Sequence, residues 1–131
     1  MIEYKHKVHV YYRDVDQMGV VYYARYFEYF EEARTELLRS VGINVPDIEN
    51  AGYYLPVIAC NCYYKNPVKF DDDIVVITKI KDQPRSKLKI EYEVMKSDNI
   101  LCANGETVHS FINKNGKAVK PPKEIINILK G

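Results

Sequence analysis

The chain has 131 residues, of which 47% are hydrophobic, 28% charged and 12% aromatic. Nineteen Lys and Arg against eighteen Asp and Glu leave a formal charge of +1, so the basic surplus of a nucleic-acid binder is missing. The apolar share excludes a disordered segment, and no apolar run approaches the ~20 residues of a membrane span. The length suits one domain spanning residues 1–131, with a core that needs no disulfide or metal to fold. Met1 to Lys7 lack the apolar core of a signal peptide, which makes a soluble cytoplasmic protein the expectation.

Along the chain, Tyr4 to Tyr12 alternates, with Tyr4, His6, Val8, Val10 and Tyr12 on one face, and predicts a strand. Arg13 to Gly19 is polar and turn-like. From Val20 the apolar spacing changes to three and four, through Tyr23, Phe27, Phe30, Arg34, Leu37, Leu38 and Val41, and predicts a helix of about five turns that stops at Gly42. The apolar stripe is wide, so the helix is expected to be deeply covered. Asn44 to Gly52 reads as a connector with a helical turn after Pro46. Four strand-like runs follow: Leu55–Lys65, Ile74–Lys81, Lys87–Lys96 and Ile100–Asn113. The Ser97-Asp98-Asn99 segment reads as a hairpin turn, and Glu124–Lys130 as a short helix. Strand, long helix, then four strands in succession predicts an α+β fold, an antiparallel sheet wrapped around one central helix. Such a sheet leaves an open edge, which a partner chain is expected to cover.

Three cysteines (Cys60, Cys62 and Cys102) are an odd count for a disulfide framework, and Cys60-Asn61-Cys62 is spaced too closely for a zinc knuckle. They read as buried free thiols. His6, His9 and His109 share no metal-ligand spacing, so no metal is expected; His6 and His9 are placed at the surface or a sheet edge. Twelve tyrosines and no tryptophan, clustered near Tyr22–Tyr29 and at Tyr53, Tyr54, Tyr63 and Tyr64, suit a core layer, a ligand tunnel or a subunit interface.

The segment richest in chemistry runs from Tyr12 to Phe27. Two acids, Asp14 and Asp16, precede a long apolar helix, and Gly19 permits a tight turn between them and it. Amides at a helix start polarise a carbonyl, and a carboxylate beside them attacks that carbonyl or activates a water. Acyl transfer or hydrolysis needs this combination; simple helix capping by either acid is the alternative.

The pattern Tyr-x-Asp-x-Asp-x-x-Gly-Val-Val-Tyr-Tyr-x-x-Tyr, from Tyr12 to Tyr26, resembles the signature of the 4-hydroxybenzoyl-CoA thioesterase family. It is also similar to the bacterial acyl-CoA thioesterases associated with the Tol–Pal system. The likeness continues through Phe30–Glu36, Leu55–Ile58 and Pro67–Asp72. It implies a hotdog fold that hydrolyses acyl-CoA to free acid and coenzyme A. The resemblance makes Asp16 the catalytic carboxylate, as nucleophile or as general base, and makes the backbone N–H of Tyr23 the carbonyl-polarising donor. Many Tol–Pal-type relatives carry His where this chain has Tyr23, so no imidazole role is implied here. Gly19 supplies the turn, and Asp14 is a structural acceptor. Leu55, Pro56 and Val57 line the acyl pocket from the partner subunit, with Tyr22, Tyr26 and Phe27 shaping it. Arg85, Ser86 and Lys87 are candidates to hold the phosphates of coenzyme A. Glu31 and Arg34 read as an internal ion pair.

The expected assembly is a homodimer or a dimer of dimers, a homotetramer, with sites between subunits. No cofactor is implied, coenzyme A being part of the substrate. The rivals are a dehydratase or hydratase, which needs a His beside the acid where none lies between Asp16 and Phe27, and a non-catalytic acyl-thioester-binding protein, which has no need of Asp16.

Overall fold

A computed structural model of the chain describes residues 1–97 and 99–130. Five strands form one antiparallel sheet in the order β1-β3-β4-β5-β2: β1 Ile2–His9, β2 Val57–Tyr64, β3 Asp73–Ile80, β4 Lys87–Lys96 and β5 Ile100–Ser110. Helix α1 (Arg25–Ser40) lies across the inner face, mainly over β1 and β3. Two short helices, α2 (Val45–Asn50) and α3 (Lys123–Leu129), close the ends. Among the described residues, no helix is long and apolar enough to cross a membrane.

The inner face is built by period-two alternation. Ile74, Val76, Thr78 and Ile80 of β3 and Leu88, Ile90, Tyr92 and Val94 of β4 are all buried. From α1, Tyr26, Tyr29, Phe30, Ala33, Leu37 and Leu38 meet them, and the Phe30 ring stacks on Tyr92 at 4.2 Å. The outer face is polar and laced with cross-strand pairs such as Lys79–Glu93 at 3.1 Å and Lys89–Glu106 at 3.2 Å. Those exposed pairs keep that face in water and add little stability.

Several expectations change. Tyr12 does not continue β1: it is 79% exposed, in a 3₁₀ turn spanning Tyr12–Asp14. The buried Asp14 carboxylate accepts the Tyr11 N–H at 3.0 Å and bends the chain there. The long helix starts at Arg25, not Val20, because Val20 and Val21 bridge to Lys69 and Val15 instead. It is covered on one side only, and Glu28, Glu31, Glu32 and Arg39 stay exposed on the other. Cys102 is buried as expected, but Cys60 is exposed and Cys62 half-buried, since they lie on the uncovered edge strand β2. The turn expected at Ser97-Asp98-Asn99 includes Asp98, which lies outside the described residues.

Gly105 of β5 shows how closely β2 seats. A Cβ there would run into the Asn61 carbonyl oxygen and reach the Phe30 ring at 3.0 Å. Gly105→Ala is therefore expected to destabilise the chain by about 1–3 kcal/mol through overpacking, read as a lower urea midpoint.

Candidate active site

The acid-bearing loop is a small closed turn. Val15 bridges Val21, the Asp16 N–H donates to Val20 O at 2.9 Å, and the Gly19 N–H to Asp16 O at 3.0 Å. Gly19 sits at φ +77°, where a side chain is strained. Asp16 Oδ1 accepts the Met18 N–H at 2.8 Å, an Asx turn that fixes the carboxyl while its second oxygen makes no hydrogen bond among the described residues. Asp14 behaves differently: it is 5% exposed and ties down the loop's base, with its own C=O accepting the Tyr22 N–H at 2.9 Å. It is the structural acceptor that was expected.

Asp16 lines an open cleft of about 370 Å³ with Val21, Tyr23, Tyr26, Tyr64 and Val68. Tyr23 lies two residues before α1, in the turn closed by the Arg25 N–H to Tyr22 O bond, and among the described residues nothing accepts its N–H. The Tyr23 carbonyl is held by the Tyr64 hydroxyl, which donates to it at 2.9 Å. Burial, reinforced by Cys62, pushes the Tyr64 hydroxyl up to about 12, so it stays a donor at working pH. Tyr26 is buried at 3% exposure against Tyr64 and forms the cleft floor, whereas Tyr22 and Tyr23 are 45% and 60% exposed. Sequence reading placed Tyr64 in a tyrosine cluster without giving it this role; only the fold brings β2 to the loop. Tyr64→Phe is expected to cost about 1 kcal/mol in unfolding free energy through the lost bond to Tyr23, measured by urea denaturation.

The remaining candidates lie at the other end of the sheet. Leu55 and Pro56 line a second cavity, of about 510 Å³, between α1, α2 and the starts of β2 and β4. Val57 opens β2 at 42% exposure. Arg85 and Ser86 lie in the exposed β3–β4 connection and Lys87 opens β4, at this same end. From Val57 to Tyr64 is about 23 Å at ~3.3 Å per residue. One chain thus brings together Asp16, Gly19, Tyr22, Tyr23 and Tyr26, and separately Leu55, Pro56, Val57, Arg85, Ser86 and Lys87.

The Glu31–Arg34 ion pair does not form. Both residues line the larger cavity, where the Arg34 charge helps to hold the His109 pKa down. His109 is the other residue that sequence reading missed. It is 3% exposed, on the inner face of β5, and lines this cavity. Its signal was available: Thr107 and His109 are two polar residues at inward positions of an otherwise apolar strand face. His9, by contrast, is the edge residue expected. Its two nitrogens meet Asp73 at 2.7 Å and Asp71 at 2.9 Å in the open, and these bonds raise its pKa above 6.5.

An antiparallel sheet cupping one long helix, with an acid-bearing turn at the helix entrance, defines a hotdog fold. The chain belongs to the thioesterase-like superfamily, whose family model matches residues 10–129. It is 33% identical over 124 residues to the acyl-CoA thioesterase YbgC of Haemophilus influenzae, covering 90% of this chain and 88% of that one. A solved protein of Aquifex aeolicus described as hypothetical superposes with a TM-score of 0.91 at 33% identity, covering 97% of this chain and 99% of the other. The solved 4-hydroxybenzoyl-CoA thioesterase superposes with a TM-score of 0.90 over 98% of this chain and 99% of its own; at 18% identity it shares the fold.

Proposed function

We propose that this protein is an acyl-CoA thioesterase whose active sites are each assembled from two copies of the chain. The observation that carries the reading is the separation of the two half-sites by the length of β2, an edge strand without a charged residue. The other edge, β1, carries Glu3, Lys5, His6, Lys7 and His9, the charges that keep edges apart. The eight residues of β2 include no charge, and Val57, Ile58, Tyr63 and Tyr64 are all more than 40% exposed. Two-fold antiparallel pairing of β2 with a second β2 sets the Val57 end of one copy beside the Tyr64 end of the other. Asp16 of one copy then faces the Leu55–Pro56–Val57 wall of its partner, and the basic Arg85-Ser86-Lys87 segment comes to the same side, suited to the phosphates of coenzyme A. The resemblance to relatives acting on acyl-CoA supports the same substrate class.

In the reaction, the thioester carbonyl oxygen accepts the Tyr23 N–H, which gains strength as the oxygen becomes an oxyanion. Asp16 acts from the other side. As general base it takes a proton from water while the water oxygen bonds to the carbonyl carbon; the C–S bond then breaks and the proton passes to the leaving thiolate. As nucleophile, its own oxygen forms the bond, the thiolate leaves, and water cleaves the resulting anhydride. Either route yields free acid and coenzyme A, and neither calls on a resident cofactor. Free-thiol release from a panel of short, long and aromatic acyl-CoAs tests the reading. Thiol release in wild type and its loss in Asp16→Asn are expected. Equal rates in the two proteins overturn the assignment of Asp16, and hydration of an enoyl-CoA without thiol release makes the protein a hydratase.

A further inference from the structure

A chain of hydrogen bonds runs across the inner face of the sheet into the backbone of the segment assigned above to the acyl-pocket wall. His109 Nδ1 lies 3.0 Å from the Leu55 carbonyl oxygen. A carbonyl only accepts, so Nδ1 carries the proton. Burial holds the ring below its ordinary pKa of 6.5, and the Arg34 charge adds to this, so the ring is neutral and Nε2 is an acceptor. Nε2 takes its bond from the Thr107 hydroxyl at 2.9 Å, and Thr107 Oγ1 takes one from the Tyr92 hydroxyl at 2.7 Å. The order of donors is thus fixed from Tyr92 through Thr107 and His109 to Leu55.

The place where this chain ends has a gap in the regular ladder. Tyr54 pairs with Ile112 in an isolated bridge, the Ser110 N–H reaches Pro56 O at 3.2 Å, and the β2–β5 register shifts between Val57 and Ala59. Among the described residues the Leu55 carbonyl is held only by the buried imidazole. Leu55, Pro56 and His109 all line the cavity of about 510 Å³, together with Leu38, Ile48 and Ile90.

We propose that His109 is a positioning residue for substrate: by donating from Nδ1 to the Leu55 carbonyl it sets the Leu55–Pro56–Val57 wall against which the acyl group binds. This rests on the reading of that wall as part of the thioesterase site. His109 touches neither the thioester nor Asp16, so it governs acyl binding and not the bond-breaking step.

Three variants separate the two ring nitrogens. His109→Asn keeps a donor at the Nδ1 position and loses the Nε2 acceptor. His109→Gln keeps an acceptor toward Thr107 and loses the donor to Leu55. His109→Phe loses both. For the acyl-CoA best hydrolysed by wild type, KM is expected to rise about tenfold in the Gln and Phe variants, with kcat within about threefold, and to stay near wild type in the Asn variant. Amide hydrogen exchange at Val57 is expected to quicken in the Gln and Phe variants and not in the Asn variant. Equal damage in all three variants makes the residue mere packing and overturns the proposal, as does a healthy Gln variant beside a damaged Asn variant, or no effect in any. If wild type releases no thiol from any acyl-CoA, the thioesterase reading falls by itself; the exchange pattern then still decides whether His109 sets the Leu55 segment.

Discussion

Asp16→Asn is expected to lower kcat for thioester hydrolysis by about 10²–10⁴-fold, the range of a lost general base, with the fold intact. The substitution separates chemistry from structure cleanly. An Asn carbonyl oxygen still accepts the Met18 N–H that Asp16 Oδ1 accepts at 2.8 Å, so the Asx turn and its neighbours Val15 and Val21 stay paired. What is lost is the negative charge and the basic second oxygen, and both routes through Asp16 require them. Asp14→Ala gives the contrasting result. Asp14 is buried and its carboxylate accepts the Tyr11 N–H at 3.0 Å, so its loss is expected to appear first as a lower urea midpoint and only secondarily in rate. Label in the Asp16 carboxylate after a single turnover in ¹⁸O-water shows direct attack, with water then opening the anhydride at the Asp16 carbonyl; a water activated by Asp16 labels only the released acid.

Local pattern and long-range contact divide what was legible in the sequence. β4 was expected at Lys87–Lys96 and is found there, because a central strand with one buried face must alternate along its whole length. β3 and α3 likewise fall within a residue of their expected bounds. The start of α1 was misread for the opposite reason. Val20, Tyr23 and Phe27 have helical spacing, but Val20 and Val21 spend their backbone groups on Lys69 and Val68, about fifty residues away, and periodicity carries no trace of that. The site divides in the same way. Asp14, Asp16 and Gly19 are contiguous and form a recognisable motif. Tyr64 and His109 bond to the Tyr23 and Leu55 carbonyls, 41 and 54 residues distant; alternation marks His109 as an inward polar residue, but nothing local names the carbonyl that either side chain meets. Arg34 was matched to Glu31 by helical spacing alone, whereas its long side chain turned to the cavity wall.

Lysine at position 58 is expected to abolish both assembly and activity. Ile58 is 49% exposed on β2, and a charge on a free edge is the common device that prevents edge pairing. Ile58→Lys should run at the 15.3 kDa of a single chain by light scattering where wild type runs at twice that or a further multiple. Its rate should fall by about 10²-fold or more, since separated copies leave Asp16 with no wall to hold the substrate against it. Lys7→Glu on the other edge should change neither. Retained mass and rate in Ile58→Lys defeats the shared-site reading. Mixing two inactive proteins tests it from the opposite direction. Asp16→Asn lacks the carboxylate, and Leu55→Asp lacks the wall. Within a mixed pair, the intact Asp16 of one copy faces the intact Leu55 of the other at one site, and both defects meet at the second. With random exchange half of the pairs are mixed and half of their sites are whole, so about a quarter of wild-type activity should return. Sites contained within one chain return none, because neither parent then holds a complete set of residues to lend.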